Sequence, residues 1–118
     1  MSISTQDVYD LLVDKYNAAN RTASFERAFQ YALERTLIDL ATSRVGIAIV
    51  LPENLETDLD CDDFYFGVIM DGLMKYIEES GSWGQDENDS TLDANYERSL
   101  RRAHTYYCGT QTILTRGG

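Results

Sequence analysis

The chain has 118 residues, 43% of them hydrophobic and 11% aromatic, which suffices for one folded domain and excludes a disordered chain. Its net charge of -10 indicates a protein that repels nucleic acid as a whole. No apolar run is long enough to cross a bilayer and no secretory leader opens the sequence. We therefore expect a protein without membrane contacts that is synthesised in the cytoplasm.

The charge is unevenly distributed along the chain. Residues 1–51 carry six acids and five bases, and residues 52–95 carry thirteen acids with Lys75 as the single base. Residues 96–118 carry four arginines and one acid. The acidic middle and the basic end can pair inside one fold or between copies of the chain, or the acids can form a solvated face that keeps the protein soluble.

Two amphipathic helices are predicted in the first third of the chain. The first follows Ser4 as its N-cap, shows helical apolar spacing up to Tyr16, and ends by Asn20. The second follows Ser24 as its cap and has charged residues opposite a broad apolar stripe. The residues predicted to be buried in the second helix are Phe25, Ala28, Phe29, Ala32, Leu33, Leu37, Leu40 and Ala41.

A different pattern follows the second helix. Residues 45–51 form a β-branched run bounded by Gly46 and Pro52, and an acidic stretch comes next. This composition predicts a short strand or an extended arm. A lone strand cannot satisfy its own backbone, so it needs a partner strand or a neighbouring subunit.

The third predicted helix, residues 62–80, is apolar around roughly half of its circumference. Its predicted buried arc comprises Phe66, Ile69, Met70, Leu73, Met74, Tyr76 and Ile77. Phe64 and Val68 project from the remaining side, while Gly67 and Gly72 at the edges of the arc let neighbouring helices approach closely. Either this helix is central in the domain or part of it faces another chain.

The fourth helix is predicted for residues 91–108, with Gly109 as its stop and an extended tail beyond. Its buried face comprises Leu92, Tyr96, Leu100, Ala103 and Tyr107, and three arginines lie off that face. The predicted fold class is therefore mostly α: a four-helix bundle with a short extended arm or β segment between helices 2 and 3 and an extended C-terminal tail. We divide the chain into a helical domain, residues 1–109, and a tail, residues 110–118.

Few residues in the chain indicate catalysis. Cys61 and Cys108 lack CxxC spacing, which argues against a disulfide framework and a metal cluster. Either cysteine can pair with His104, the single histidine, but no third group that would orient such a pair is identifiable. No phosphate-binding or nucleophile-elbow motif is present. We therefore expect a protein that is not an enzyme, with no catalytic, cofactor-binding or metal-ligating residues and no cofactor.

The order of these elements resembles a known family. A helix "FERAFQYALERTLIDLA" leads through an extended segment to the acidic "LETDLDCDDFYFGVIMDGLMKYIEESGSW", and a closing helix "YERSLRRA" follows. This arrangement is similar to the head–tail connector (adaptor) proteins of tailed bacteriophages, in which a "DGL..YI" helix, a tryptophan and a final "Y…L..A" helix recur. The similarity covers residues 25–103, and the "IAIVLPENL" segment departs from the shortest members of the family.

The resemblance implies a structural subunit in the neck of the virion, synthesised in the host cytoplasm. It implies a ring of twelve copies that docks beneath the portal protein, contacts a downstream tail or stopper (nozzle) protein, and extends the channel for genomic DNA without sequence-specific binding. By the same resemblance the C-terminal tail binds the portal, through Gln111, Thr112, Ile113, Leu114, Thr115 and Arg116. The inter-subunit interface is predicted to contain Phe64, Tyr65, Val68, Arg98, Arg101 and Arg102.

Two other functions compete with this interpretation. The acidic middle also suits a small interaction protein that mimics nucleic-acid charge and inhibits a DNA-binding enzyme. The third candidate is a hydrolase that uses His104 with Cys61 or Cys108. The arginines of the last helix and the apolar tail favour the ring subunit over both.

Overall fold

The structure is a computed structural model that describes residues 2–16, 22–42, 44–80 and 89–117, with side chains except at 22, 80, 89–90 and 111–117. Within these residues the chain forms four α-helices and no strand: α1 (Thr5–Tyr16), α2 (Thr22–Ala41), α3 (Phe66–Ser80) and α4 (Asp89–Gly117). A single 3-10 turn, Asp63–Tyr65, leads into α3. The predicted mostly helical bundle is confirmed.

The cap of α1 and its packing on α2 follow directly from the sequence. Ser4 Oγ accepts a hydrogen bond from the Asp7 backbone N–H at 3.2 Å, as predicted for an N-cap. The ring of Tyr9 lies 6.0 Å from that of Phe25 and 5.1 Å from that of Phe29, centroid to centroid. Aromatic rings at these separations and tilts add to the burial of apolar area, so they hold α1 against α2.

The segment between α2 and α3 is an extended arm, which we define as residues 45–62. Along its first part, exposure alternates with period two, since Val45 and Ile49 are buried and Val50 is exposed. The arm forms one antiparallel bridge, in which Ile3 and Leu59 exchange two backbone hydrogen bonds of 2.9 Å. This bridge lies outside the run 45–51, for which a strand partner was predicted; within that run the N–H groups of Gly46 and Ile47 donate to the Leu40 carbonyl oxygen at 2.9 and 2.8 Å.

The α3 helix is central, because it packs against both α2 and α4. Gly72 is the point of closest approach: a Cβ atom there would lie 2.6 Å from Thr36 Oγ1 and 2.8 Å from Tyr96 Cε1. The other predicted packing glycine, Gly67, has nothing within 4 Å of such an atom. The prediction of a close approach was therefore right for Gly72 and wrong for Gly67, which lies on the exposed side.

The central position of α3 shifts its buried arc relative to the prediction. Val68 and Tyr65 are 4% and 2% exposed, whereas Phe66 keeps 37% of its surface exposed. Neighbouring helices come closest to α3 at its small residue, Gly72. The buried side of α3 is therefore centred near Gly72 and not on its large apolar residues alone. The placement of Val68 outside the core and of Phe66 inside it was wrong.

A carboxylate joins three helices next to this close approach. Asp39 Oδ2 on α2 accepts hydrogen bonds from the hydroxyl of Tyr76 on α3 at 2.5 Å and from that of Tyr96 on α4 at 2.8 Å. The two tyrosine rings meet edge to face at 6.0 Å between centroids. Lys75 Nζ lies 4.7 Å from the centre of the Tyr76 ring, where its charge favours the π face.

Several helix ends differ from the sequence-based boundaries, including the start of α3, which lies at Phe66 rather than at residue 62. The α2 helix begins at Thr22, two residues before the predicted cap at Ser24, and Ala41 in its last turn is exposed rather than buried. The α4 helix continues through Gly109 to Gly117, so the predicted stop and extended tail are wrong for the backbone of residues 110–117. A single glycine in a helix costs about 1 kcal/mol, which neighbouring turns can offset.

We expect Gly72→Ala to lower the free energy of unfolding by about 1–3 kcal/mol, because the added methyl group overpacks the contact with Thr36 and Tyr96. Gly67→Ala is the matched control in the same helix. It should stabilise the protein by up to about 1 kcal/mol through helix propensity alone. Urea denaturation of both variants measures the difference, and equal stabilisation by the two would contradict the packing.

We expect stability to fall as the pH rises above the ordinary tyrosine pKa of 10.0, because burial, then the hydrogen bond to Asp39, raises the pKa of Tyr76 and of Tyr96. Their stabilising contribution is complete below the unfolded-state pKa and is lost as the pH rises through the folded-state pKa. The double variant Y76F/Y96F should show a shallower decline of stability with alkaline pH in denaturant titrations. Tyr31→Phe, at a half-exposed ring, is the control and should keep the wild-type slope.

Candidate interaction surfaces

The arm and the turn that follows it present a cluster of exposed carboxylates, which we call the acidic arm (residues 53–63). Its six carboxylates belong to Glu53, Glu56, Asp58, Asp60, Asp62 and Asp63. None of them forms an ion pair in the described part of the chain, where the ion pairs join other residues. A charge of this density without internal compensation is available to an external partner.

The backbone of the acidic arm is fixed to the domain at several points. The buried hydroxyl of Thr5 donates to the Thr57 carbonyl oxygen at 2.7 Å, and Asn54 Oδ1 accepts from the backbone N–H groups of Glu56 and Thr57 at 2.9 and 3.0 Å. Leu59 is completely buried beside the bridge to Ile3. These contacts hold the carboxylates in a defined arrangement.

Asp62 ends the arm and has a structural role. Its carboxylate accepts hydrogen bonds from the Phe64 backbone N–H at 2.9 Å and from the Tyr106 hydroxyl at 2.7 Å. These hydrogen bonds, the backbone one first, lower the pKa of Asp62. Phe64 stacks on Tyr106 with 3.9 Å between ring centroids, so the arm is clamped to α4 at this end.

An opposite charge lies on α4, where Arg98, Arg101 and Arg102 are all exposed; we call these three residues the basic face. None of them forms an ion pair with a described residue. A recess of about 330 Å³ beside Arg101 is lined by Arg44, Leu100, Arg101, His104 and Thr105. Arg44 is already paired with Glu97, so the unpaired positive charge belongs to the basic face.

The predicted interface residues divide into two groups. Phe64 is 40% exposed, and the three arginines of the basic face are on the surface. Tyr65 and Val68 are buried within the domain, so in this fold they offer no surface to a neighbour. The side chains of the predicted portal-binding tail, residues 111–116, lie outside those that the structure describes.

A groove that the sequence pattern did not predict lies between α2 and the arm. It has a volume of about 530 Å³, and Tyr31, Leu51 and Leu55 are among its lining residues. Tyr31 and Leu51 are 45% and 44% exposed, and Val50 beside them is 82% exposed. The sequence contains one signal of an exposed apolar surface here. Tyr31 and Ile38 are apolar residues, seven positions apart, on the charged side of α2.

The two cysteines occupy contrasting environments. Cys108 is exposed, and its Sγ lies 3.5 Å from Nε2 of His104 one turn earlier. Cys61 is buried, and burial together with the neighbouring aspartates raises its pKa to about 11. Cys61 is therefore a protonated thiol at neutral pH, which makes it a poor nucleophile. Within the described residues no group of three or more His, Cys, Asp or Glu side chains is arranged to hold a metal ion.

We expect one thiol to react rapidly in the folded protein at pH 8. Cys108 should be labelled by iodoacetamide, whereas Cys61 should react only after urea unfolds the chain, because it is 6% exposed and its pKa is raised to about 11. Mass spectrometry of the labelled peptides distinguishes the two sites, and Cys108→Ser provides the control. Rapid labelling of Cys61 in the native state would contradict the burial of the arm.

Comparison with known proteins adds no relative to this description. The chain matches no protein-family model, no curated protein and no solved structure. None of the described helices is both long enough and apolar enough to span a membrane.

Proposed function

We propose that the chain is a structural subunit that assembles with copies of itself into a ring, as part of the head–tail connector of a tailed bacteriophage. The ring docks beneath the portal protein, extends the DNA channel and has no enzyme activity. One observation carries the proposal: the chain exposes the acidic arm and the basic face, and neither forms an ion pair among the residues that the structure describes.

A ring requires a head-to-tail interface, in which two different patches of one subunit meet their complements on its neighbours. Opposite charges on separate elements satisfy that requirement, because each copy then presents one donor patch and one acceptor patch. A two-fold dimer can also pair these two patches, each with its complement on the other copy. The segregated charge therefore supports association between copies, and the ring itself comes from the sequence resemblance.

The apolar contribution to such an interface differs from the one that the sequence suggested. Most of the apolar surface of α3 is buried inside the domain by its contacts with α2 and α4. Phe66 at the start of α3 is 37% exposed, and most of the other exposed large apolar residues are elsewhere, among them Tyr31 and Ile38 on α2 and Val50 and Leu51 on the arm. An exposed patch of this kind is typical of a surface that a partner covers.

The net charge of -10 also suits a DNA conduit. Basic side chains would hold phosphates by counterion release, whereas a ring of net negative charge lets DNA slide.

The same charge supports the second candidate, an acidic protein that occupies the DNA site of an enzyme. The observation that favours it is the row of six exposed carboxylates. A pull-down with portal protein, run beside one with DNA-binding enzymes, separates the two functions.

We expect deletion of residues 111–118 to abolish docking on the portal and to leave the domain folded. Among the α4 residues whose side chains the structure describes, Ala103 is the last buried one and Tyr106 and Tyr107 are the last that pack on the core, so the deletion removes no described core contact. Electron microscopy of portal mixed with full-length or truncated chain measures docking, and circular dichroism checks the fold. Full docking by the truncated chain would refute the role of the tail. Absence of any ring with the full-length chain would refute the proposed function.

A further inference from the structure

The basic face of α4 and the acidic arm have matching spacings. Arg98 and Arg102 are one helical turn apart, which corresponds to about 6 Å along the helix axis. Asp58 and Asp60 flank Leu59 in the extended part of the arm and are about 7 Å apart along the chain. Because Leu59 is buried and both aspartates are exposed, the two carboxylates project away from the domain on the same side.

We infer that the basic face of one copy binds the acidic arm of a second copy, with Arg98 and Arg102 against Asp58 and Asp60. The inference rests on the proposed function and names the interface that closes the ring. Guanidinium groups suit this contact, since they present planar donors that match carboxylates and keep their charge at any physiological pH.

The arm of the same chain does not serve as the partner. It is held by the bridge between Ile3 and Leu59 and, at its C-terminal end, by the hydrogen bond from Tyr106 to Asp62. In this position none of its carboxylates pairs with an arginine of the described structure. Within the described part of the chain, both patches therefore lack an ion-pair partner, and a neighbouring copy supplies each with its complement.

Nucleic acid is a weaker partner for the basic face. The chain carries 20 acidic residues against 10 basic ones, and six exposed carboxylates of the acidic arm belong to the same small domain. A polyphosphate approaching the three arginines would meet this negative field, whereas the arm of a second copy brings a short row of carboxylates that fits the patch.

The recess beside Arg101 marks one edge of the proposed contact between two copies. Arg101 and His104 line it, and Leu100 is 1% exposed there. The Thr105 hydroxyl donates to the Arg101 carbonyl oxygen at 3.1 Å. A carboxylate of the incoming arm can enter this recess and accept hydrogen bonds from the Arg101 guanidinium group.

Exposed ion pairs are individually weak and are screened by salt, so the contact between two isolated copies should be weak and salt-sensitive. Closure of a ring makes each copy use both patches at once, which strengthens the assembly without new contacts. We therefore expect association of the wild-type chain at high protein concentration and low salt, and its loss at high salt.

A charge exchange tests the inference. The face variant R98E/R102E and the arm variant D58K/D60K should each self-associate about tenfold or more weakly than wild type, since each replaces attraction by repulsion. Mixed in equal amounts, they should associate again, because every contact between unlike copies is then complementary. Sedimentation velocity at low salt measures all four samples, and circular dichroism verifies that helix content is kept.

The control variant D10K/D14K changes the charge by the same amount as the arm variant, on exposed positions of α1. It should associate at least as strongly as wild type. Wild-type association that survives both variants, or a mixture that does not recover, overturns this interface and leaves the proposed ring standing. Absence of wild-type association at millimolar concentration, and also in the presence of portal, overturns the interface and the ring together.

Discussion

The structure depends on the junction where α2, α3 and α4 meet. One carboxylate oxygen of Asp39 accepts hydrogen bonds from Tyr76 and Tyr96, and the missing side chain of Gly72 lets the helices approach closely enough for both. A buried polar group is costly unless it is hydrogen-bonded, so this satisfied cluster fixes one arrangement of the three helices. A second contact of this kind, from Ser99 to Asp71, joins α3 and α4 farther along.

The junction of the three helices also determines which side chains stay exposed to solvent. With α3 enclosed between two helices, the apolar side chains that could have faced another molecule are used within the domain. The arm is held on the domain by the burial of Leu59, by the hydrogen bond from Thr5 and, at its C-terminal end, by the hydrogen bond from Tyr106. Its carboxylates must therefore face solvent, and the arginines of α4 face solvent on another element.

This division keeps two charged surfaces apart from the core. The core is apolar with a few satisfied hydroxyl and carboxylate groups, while the acidic arm and the basic face concentrate opposite charges on separate elements. Sorted charge costs little inside a monomer, because separated patches are screened by salt. In the proposed association between copies it favours contacts that place unlike patches together.

The sequence by itself determined the four helices, the cap at Ser4, the buried stripe of α2 from Phe25 to Leu40 and the extended character of the arm. These features depend on local spacing, which periodicity reports directly. Tertiary structure alone decided which side of α3 is buried, that Gly72 rather than Gly67 makes the close contact, and that Asp39 binds two distant tyrosines. The end of α4 was also missed, because a glycine stops a helix only when its neighbours do not compensate for its low propensity. Periodicity in the sequence predicts that one face of a helix is buried. Which residues pack against that face depends on contacts between positions far apart in the chain.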